Sequence, residues 1–316
     1  MFKRLLCMLL AMMILGSAVP ALAAQPREIE PLPYELLPEA AEGQHHYLMA
    51  CVDNWQGNAK RLGNTDGVIL VTLDTVNRRV LFTTFSREML VKRPDGGIGR
   101  FTFIAKNYGP EALCEAVSTH FGVKVDKYFI FSMDNVQDII DTMGGVEITV
   151  TDAEADYLNR YRISRDSTTP SMDKAGTYLF GGHAAVIYMR IRKVGGDGDS
   201  GRTRRIRTVL GTLADKYANA SLGDAMQLIT DVSNNIVTTN MTMADLLEAA
   251  GYAMELRGVT PEGLQMPPDD AMEPIHYAGM STRQVDFKQA RTELCAFLGL
   301  QNVDEIVQSQ TGYEVK

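Results

Sequence analysis

The apolar positions of this chain fall into short continuous runs that alternate with longer amphipathic segments. Val68–Leu73 is an apolar and β-branched run, which predicts a strand buried on both faces. A second run, Val80–Phe85, follows the polar stretch Asp74–Arg79, and this arrangement is typical of a β-hairpin. Further strands are predicted at Tyr128–Phe131 and Val146–Val150.

Helical spacing of apolar residues appears between and after these runs. Pro110 follows Gly109 at the start of a helix that places Leu113, Val117 and Phe121 on one side. Further helices are predicted at 136–143, about 202–218, 223–237, 242–256 and 287–298.

The alternation continues without an internal repeat or a second linker. It predicts one mixed α/β domain from residue 45 to about residue 300. Within it, residues 152–174 are polar and turn-rich and are interpreted as an excursion or lid. Residues 301–316 are interpreted as a C-terminal tail.

The first 23 residues have the pattern of an export signal. Lys3 and Arg4 precede the apolar run Leu5–Leu15, and Ala21–Ala23 supplies a small-x-small cleavage pattern. Because the apolar stretch is about long enough to cross a bilayer, an uncleaved N-terminal anchor is the alternative. Both interpretations place the rest of the chain outside the cytoplasm, either secreted or associated with the cell envelope.

Residues 24–44 contain four prolines and five glutamates. Prolines and like charges favour an extended chain, so this segment is predicted to be a linker between the N-terminal segment and the domain.

Composition narrows the class of function. The 316-residue chain has a formal net charge of −8, which argues against general nucleic-acid binding because no overall positive field gathers phosphate backbones. Beyond the signal, Cys51, Cys114 and Cys295 are odd in number and widely spaced, so they predict neither a disulfide framework nor a metal site.

Against this acidic background, residues 188–207 carry seven basic residues around a glycine-rich turn. Arg190 and Arg192 would share one face of a strand, and Arg202 and Arg205 would share one face of a helix. Two converging arginine pairs form a clamp for a phosphate or pyrophosphate. The alternative is a solvated surface run of charge with salt-bridge partners.

A series of short motifs runs in order along the chain. The motifs are Ala50–Asp53, Asn64–Asp66, Phe85–Glu88, Tyr108–Glu111, Val125–Tyr128, Asp141–Glu147, Ala175–Gly182, Tyr188–Arg192, Gly198–Arg202, Gly279–Ser281 and Val285–Phe287. This ordered series resembles the LytR-CpsA-Psr family of cell-envelope proteins across nearly the whole exported region.

The resemblance implies a mixed central β-sheet flanked by helices on both faces. It also implies a transferase that takes a phosphorylated glycopolymer from a polyprenyl-pyrophosphate carrier and attaches it to peptidoglycan, with Mg²⁺ assistance. The expected partners are the lipid-linked glycopolymer, peptidoglycan and, through the lipid, the membrane surface, but no nucleic acid.

Such a transfer develops charge on phosphate oxygens, which positioned cations neutralise. Asp53 and Asp66 are the expected Mg²⁺ ligands, and Asp66 and Arg87 are the expected catalytic residues. The expected pyrophosphate-binding residues are Arg87, Arg190, Arg192, Arg202 and Arg205. A long apolar pocket between sheet and helices is expected for the lipid tail.

Each residue also has a plainer interpretation. Asp66 lies in good turn chemistry, Asp53 could be a loop carboxylate, and Arg87 beside Glu88 could form a surface pair of small energetic weight. The chain also departs from the family pattern, because Asn64 replaces an arginine.

A second departure is Ile206, which replaces a glutamine. Three functions therefore stay open: an active but divergent transferase, a non-catalytic binder of polyprenyl phosphates or pyrophosphates, and a structural envelope protein whose arginines only pair with acids.

Overall fold

The apolar runs of the sequence form the inner strands of a mixed β-sheet. The computed structural model describes residues 25–53, 62–160, 172, 174–196, 198–217 and 222–312. The predicted signal or anchor at 1–23 lies outside these residues, as does most of the predicted excursion beyond residue 160.

Twelve strands are present in the described part of the chain. They are β1 (Gln44–Val52), β2 (Thr65–Asp74), β3 (Arg79–Phe85), β4 (Leu90–Lys92), β5 (Ile98–Arg100), β6 (Tyr128–Ser132), β7 (Val146–Val150), β8 (Gly176–Phe180), β9 (Thr238–Thr239), β10 (Glu262–Met266), β11 (Met272–Tyr277) and β12 (Met280–Val285).

The sequence did not predict four helices, those that begin at Ile104, Asp152, Gly182 and Val303, whereas the other six lie at predicted positions. Ten α-helices are thus present in the described residues. They are α1 (Ile104–Tyr108), α2 (Pro110–Phe121), α3 (Met133–Thr142), α4 (Asp152–Arg160), α5 (Gly182–Met189), α6 (Gly198–Tyr217), α7 (Leu222–Asn234), α8 (Met243–Glu255), α9 (Phe287–Leu298) and α10 (Val303–Thr311).

The central sheet has the strand order β10-β3-β2-β1-β6-β9 and is mixed. Strand β2 runs antiparallel to both β1 and β3, whereas β6 runs parallel to β1. Eight of the ten residues of β2 are buried, which confirms the prediction of a strand covered on both faces.

Helices cover the sheet on both sides, as the resemblance implied. Leu48, Leu70 and Ile130 share one face and join a core with residues of α2 and α9. Tyr47 and Leu73 point to the opposite face, where they cluster with residues of α8. The period of two along each strand produces this division.

A second core lies beside the sheet and supports the arginine-rich segment. The β7–β8 hairpin packs with α3, α4, α5 and α6 around Ile148, Phe180 and Ala184. Gly182 permits the close approach of α5 to α3, because a Cβ there would lie 2.1 Å from the carbonyl oxygen of Gln137.

The prediction of an extended linker at 24–44 is wrong for its described residues. Leu32 and Leu37 are buried against Val303 and Val307 of α10, and the Leu32 amide donates to the Thr119 carbonyl at 2.8 Å. The apolar residues between the prolines therefore bind this segment to the domain. The same contacts show that residues 303–311 form a packed helix rather than a loose tail.

Within the described residues, every helix is too short or too polar to span a bilayer.

Two buried imidazoles predict an acid-sensitive fold. Burial lowers the pKa of both His46 and His120 to about 4, whereas histidine in an unfolded chain titrates near 6.5. The unfolded chain therefore binds protons first as the pH falls. The stability that depends on keeping these imidazoles neutral is therefore fully present above about pH 6.5. Between about pH 6.5 and 4 we expect the free energy of unfolding to fall, by up to about 3 kcal/mol for each imidazole.

Urea unfolding between pH 7 and pH 4.5 measures this loss. His120→Gln should flatten the pH dependence, whereas His276→Gln on the exposed surface should leave it unchanged. An unchanged slope in folded His120→Gln would contradict the assignment.

Candidate active site

The candidate site begins where β1 ends and β2 starts. The Asp53 carboxylate accepts from the Asn64 backbone amide at 2.7 Å and from the Asn64 side-chain amide at 2.9 Å. The Lys106 ammonium group donates to the side-chain oxygen of Asn64, Oδ1, at 3.2 Å. Asn64, at the position where the family pattern has an arginine, thus fixes the orientation of Asp53.

Asp66 is the centre of a cluster of arginines, which we call the Asp66 cluster. Its side chain is 7% exposed and is ion-paired with Arg87. The guanidinium groups of Arg190 and Arg202 lie 3.6 Å and 3.5 Å from its carboxylate. Three positive charges around one carboxylate leave two in excess, so the cluster is a positively charged site shaped for an anion.

Three different elements bring these arginines together. Arg87 follows β3, Arg190 caps the C-terminus of α5, and Arg202 lies in the first turns of α6 with 3% of its side chain exposed. The prediction that Arg190 and Arg192 lie on a strand is wrong, because the apolar residues before Arg190 form the buried helix α5.

Arg192 contacts a second carboxylate and defines the Glu88 cluster. Arg192 donates to Glu88, and the Arg100 guanidinium lies 3.6 Å from the same Glu88 oxygen. Sequence reasoning did not include Glu88 or Arg100 among the site residues. Glu88 directly follows Arg87 in the sequence. That position is the sequence feature that could have indicated Glu88, since adjacent residues can belong to two neighbouring clusters.

Arg205 is not brought into either cluster. Its guanidinium is buried, donates to Glu154 at 2.7 Å and to the Ile191 carbonyl at 3.1 Å, and lies 6.0 Å from the Tyr188 ring centroid. The prediction that Arg205 binds pyrophosphate therefore has no support in this geometry. Arg205 instead fixes the backbone between Arg190 and Arg192.

An apolar cavity of about 90 Å³, called the inner cavity, opens beside the Asp66 cluster. Asp66, Arg190 and Arg202 form its polar end. Its apolar lining comes from Met49, Cys51, Gly67, Ile69, Phe131, Met133, Val136, Val186, Met189, Ile206 and Leu210.

A larger apolar cavity of about 400 Å³, the outer cavity, lies farther along the same face of the sheet. Ile69 on β2 lines the inner cavity, and Val71, two residues on and on the same face, lines the outer one. Leu210 and Ala214, one turn apart on α6, have the same relation. The two cavities thus lie one after the other between the sheet and the helices, in the place expected for a lipid tail, and together we call them the apolar path.

The three described cysteines are free, and none forms a reactive group. Burial raises the pKa of Cys51 and of Cys114 to about 12, and it also raises the pKa of Cys295. Cys51 therefore serves as an apolar wall of the inner cavity rather than as a nucleophile.

No group of three His, Cys, Asp or Glu side chains converges within the described residues. A magnesium ion needs fewer protein ligands, because it is commonly held by one or two carboxylates together with substrate phosphates. Asp53 and Asp66 are carboxylates of the kind that such a site uses, but the excess positive charge around Asp66 disfavours a cation without an accompanying anion.

Removal of Arg205 from the buried Glu154–Arg205 pair should cause a large loss of stability, which neutralising Glu154 should largely restore. Arg205→Met would leave the Glu154 carboxylate buried without its counter-ion, and we expect a cost of about 3–5 kcal/mol in the free energy of unfolding. The double variant Glu154→Gln with Arg205→Met should recover most of it. Arg27→Met breaks an exposed pair with Glu273 and should cost about 1 kcal/mol or less. Urea denaturation measures all three, and a small loss in Arg205→Met would refute the prediction.

Two curated proteins are similar to this chain in sequence. TagV of Bacillus subtilis, named a polyisoprenyl-teichoic acid–peptidoglycan teichoic acid transferase, is 27% identical over 186 residues, which are 58% of this chain and 46% of TagV. TagU of Bacillus licheniformis, which has the same type of name, is 27% identical over 213 residues, 65% of this chain and 63% of TagU. The chain spans about half to two thirds of the length of these curated relatives.

Solved structures show the same fold at low identity. Crystal structures of Bacillus subtilis TagV and of TagT bound to LI-WTA each have a TM-score of 0.63 at 20% identity. The match covers 83% of this chain and 100% of TagV, and 89% of this chain and 98% of TagT. The fold prediction of a mixed sheet between helices is thus confirmed.

The LytR_cpsA_psr family model matches residues 23–293. Because this match takes in most of the 316 residues, the chain belongs to the LytR_cpsA_psr family.

Proposed function

We propose that this protein transfers a phosphorylated glycopolymer from a polyprenyl-pyrophosphate carrier to peptidoglycan in the cell envelope. One observation carries the proposal: the Asp66 cluster and the inner cavity share Asp66, Arg190 and Arg202. A buried anion site at the end of an apolar path matches a ligand with a phosphate head and a long apolar tail.

The names of TagV and TagU support the same class of substrate and acceptor. Both names describe transfer of teichoic acid, a phosphorylated polymer, from a polyisoprenyl carrier to peptidoglycan. We extend that class of reaction to this chain without assigning the polymer.

The polar groups support phosphoryl transfer by positioning and charge neutralisation. An acceptor hydroxyl oxygen attacks the polymer-side phosphorus, and the bond from that phosphorus to the bridging oxygen of the lipid phosphate breaks. The lipid leaves as polyprenyl phosphate, and the hydroxyl proton passes to the solvent or to that departing phosphate. Arg87, Arg190 and Arg202 neutralise the charge that develops on the phosphate oxygens. Asp66 holds the three guanidinium groups in place before the substrate arrives.

We propose that Asp53 and Asp66 also hold Mg²⁺ once a pyrophosphate is bound. The bound ion would neutralise charge on phosphate oxygens, as the arginines do. Phosphate oxygens would complete its ligand set and offset the positive excess around Asp66.

A second function, non-catalytic binding of polyprenyl phosphates or pyrophosphates, is favoured by one observation. Ile206 lines the inner cavity, where the family pattern has a glutamine. An isoleucine adds apolar contact for a lipid tail but offers no hydrogen bond to a phosphate.

Removal of one arginine of the Asp66 cluster should distinguish both proposed functions from a purely structural role of these arginines. We expect Arg87→Ala and Arg202→Ala to weaken the affinity for inorganic pyrophosphate by a factor of about ten or more, because each removes a charge-assisted contact. Calorimetric titration measures the affinity. Arg204→Ala, an exposed position on the same helix, is the matched control. Equal affinities in wild type and both variants would argue against the anion site.

Turnover distinguishes transferase from binder. An active transferase releases polyprenyl phosphate from a synthetic lipid-pyrophosphate glycan in the presence of peptidoglycan, and Arg87→Ala abolishes the release. Binding of the lipid without release by the wild-type protein would favour the non-catalytic alternative.

Magnesium binding should depend on the anion. We expect weak or no Mg²⁺ binding to the protein alone and clear binding when inorganic pyrophosphate is present in excess over Mg²⁺, measured relative to the same mixture without protein. Asp53→Asn should reduce this protein-dependent binding, while its single side-chain oxygen keeps one of the two hydrogen bonds from Asn64. Tight Mg²⁺ binding without pyrophosphate would contradict the charge argument.

A further inference from the structure

A cleft that shares Arg100 with the Glu88 cluster carries aromatic rings. Phe103, Tyr108 and Tyr277 line it together with Arg93, Arg100 and Asn107. All three rings are half-buried, so each keeps part of its surface open to a ligand. We call this the aromatic cleft.

Two hydrogen bonds from Thr102 join the cleft to the active site. The Thr102 amide donates to the Arg87 carbonyl at 3.2 Å, and the Thr102 hydroxyl donates to the Thr65 carbonyl at 2.8 Å. Thr65 directly precedes Asp66. The segment that carries Arg100 and Phe103 is therefore held next to the residues expected to bind the phosphates.

Tyr277 comes to the cleft from a distant part of the chain. It ends β11 and pairs with Met280 of β12 across a two-residue turn at Ala278 and Gly279, both of which have positive φ. The hairpin is itself held to the site, because the Arg283 amide donates to the Glu88 carbonyl at 3.0 Å.

Arg100 connects the cleft to the Glu88 cluster. Its guanidinium lies 3.6 Å from Glu88 and 5.9 Å from the centroid of the Phe103 ring. Four features thus follow one another in this order: the apolar path, the Asp66 cluster, the Glu88 cluster and the aromatic cleft. A linear ligand with tail, phosphates and sugar presents its groups in the same order.

The lining of the cleft fits a sugar ring. A pyranose has an apolar C–H face that packs on aromatic rings and hydroxyl groups at its edge that bond to polar side chains. Arg93 and Asn107 offer donors at the rim, whereas the lining lacks the purely apolar character of the inner cavity.

We propose that the aromatic cleft binds a pyranose ring of the glycan that lies next to the pyrophosphate. This inference rests on the proposed function and names the subsite that recognises the sugar. The sugar belongs either to the polymer on the carrier or to the peptidoglycan acceptor, and the chemistry of recognition is the same for both.

The test compares Tyr277→Ala with His276→Ala in the full-length protein. His276 lies on the other face of the same hairpin and is exposed, so it controls for changes in the hairpin itself. The probe is a β-1,4-linked tetramer of N-acetylglucosamine, titrated by calorimetry beside inorganic pyrophosphate. We expect Tyr277→Ala to weaken tetramer binding about tenfold and to leave pyrophosphate binding unchanged.

Two further arms identify the source of the sugar. One uses a short-chain polyprenyl diphosphate carrying a single N-acetylglucosamine, and the other uses polymer-stripped peptidoglycan in a sedimentation assay. A loss by Tyr277→Ala in the first arm supports the donor sugar, a loss in the second supports the acceptor, and a loss in both supports shared recognition.

The proposal is overturned if Tyr277→Ala matches His276→Ala in every arm, or if the wild-type protein binds pyrophosphate but no glycan probe. Failure of the proposed function has a different signature, because the wild-type protein then binds neither pyrophosphate nor the lipid diphosphate. That result overturns the sugar subsite as well, since the subsite is defined by its place beside the phosphates.

Discussion

The ion pairs between Asp66 and three arginines are the constraint on which the rest of the site depends. Arg87, Arg190 and Arg202 come from segments far apart in sequence, and like charges at this distance repel one another unless a carboxylate lies between them. Asp66 supplies that carboxylate in a buried position at the start of a central strand. The substrate therefore meets a site whose positive groups are already gathered, with little further ordering required.

The second core supports the two helices that carry Arg190 and Arg202. Arg190 and Arg202 flank a glycine-rich turn, and Arg205 bonds the turn to α6 and to α4 through Ile191 and Glu154. A buried ion pair contributes little net stability compared with apolar packing, but it specifies one geometry. Positioning of the flanking arginines is the function that this costly pair serves.

Sequence patterns predicted the elements whose periodicity is local. Val146–Val150 and Phe287–Leu298 were placed correctly because alternation and helical spacing are visible within a few residues. The failures concern tertiary partners. The buried apolar residues before Arg190 read equally well as strand or helix. Arg205 faces Glu154, 51 residues away, and a spacing of three on a helix does not reveal that direction. The proline and glutamate content of residues 24–44 predicted an extended linker, because the sequence does not show that Leu32 packs against α10.

The packed N-terminal segment has a consequence for orientation. Arg27 bonds to Gln284 and to Glu273, so the chain enters the domain along the β11–β12 hairpin that also carries Tyr277. Farther along, Leu32 and Leu37 pack on the domain, so the segment from Arg27 to Leu37 lies along its surface. A tether attached upstream of Arg27 would therefore hold the domain by its β11–β12 hairpin, the element that carries Tyr277 of the aromatic cleft.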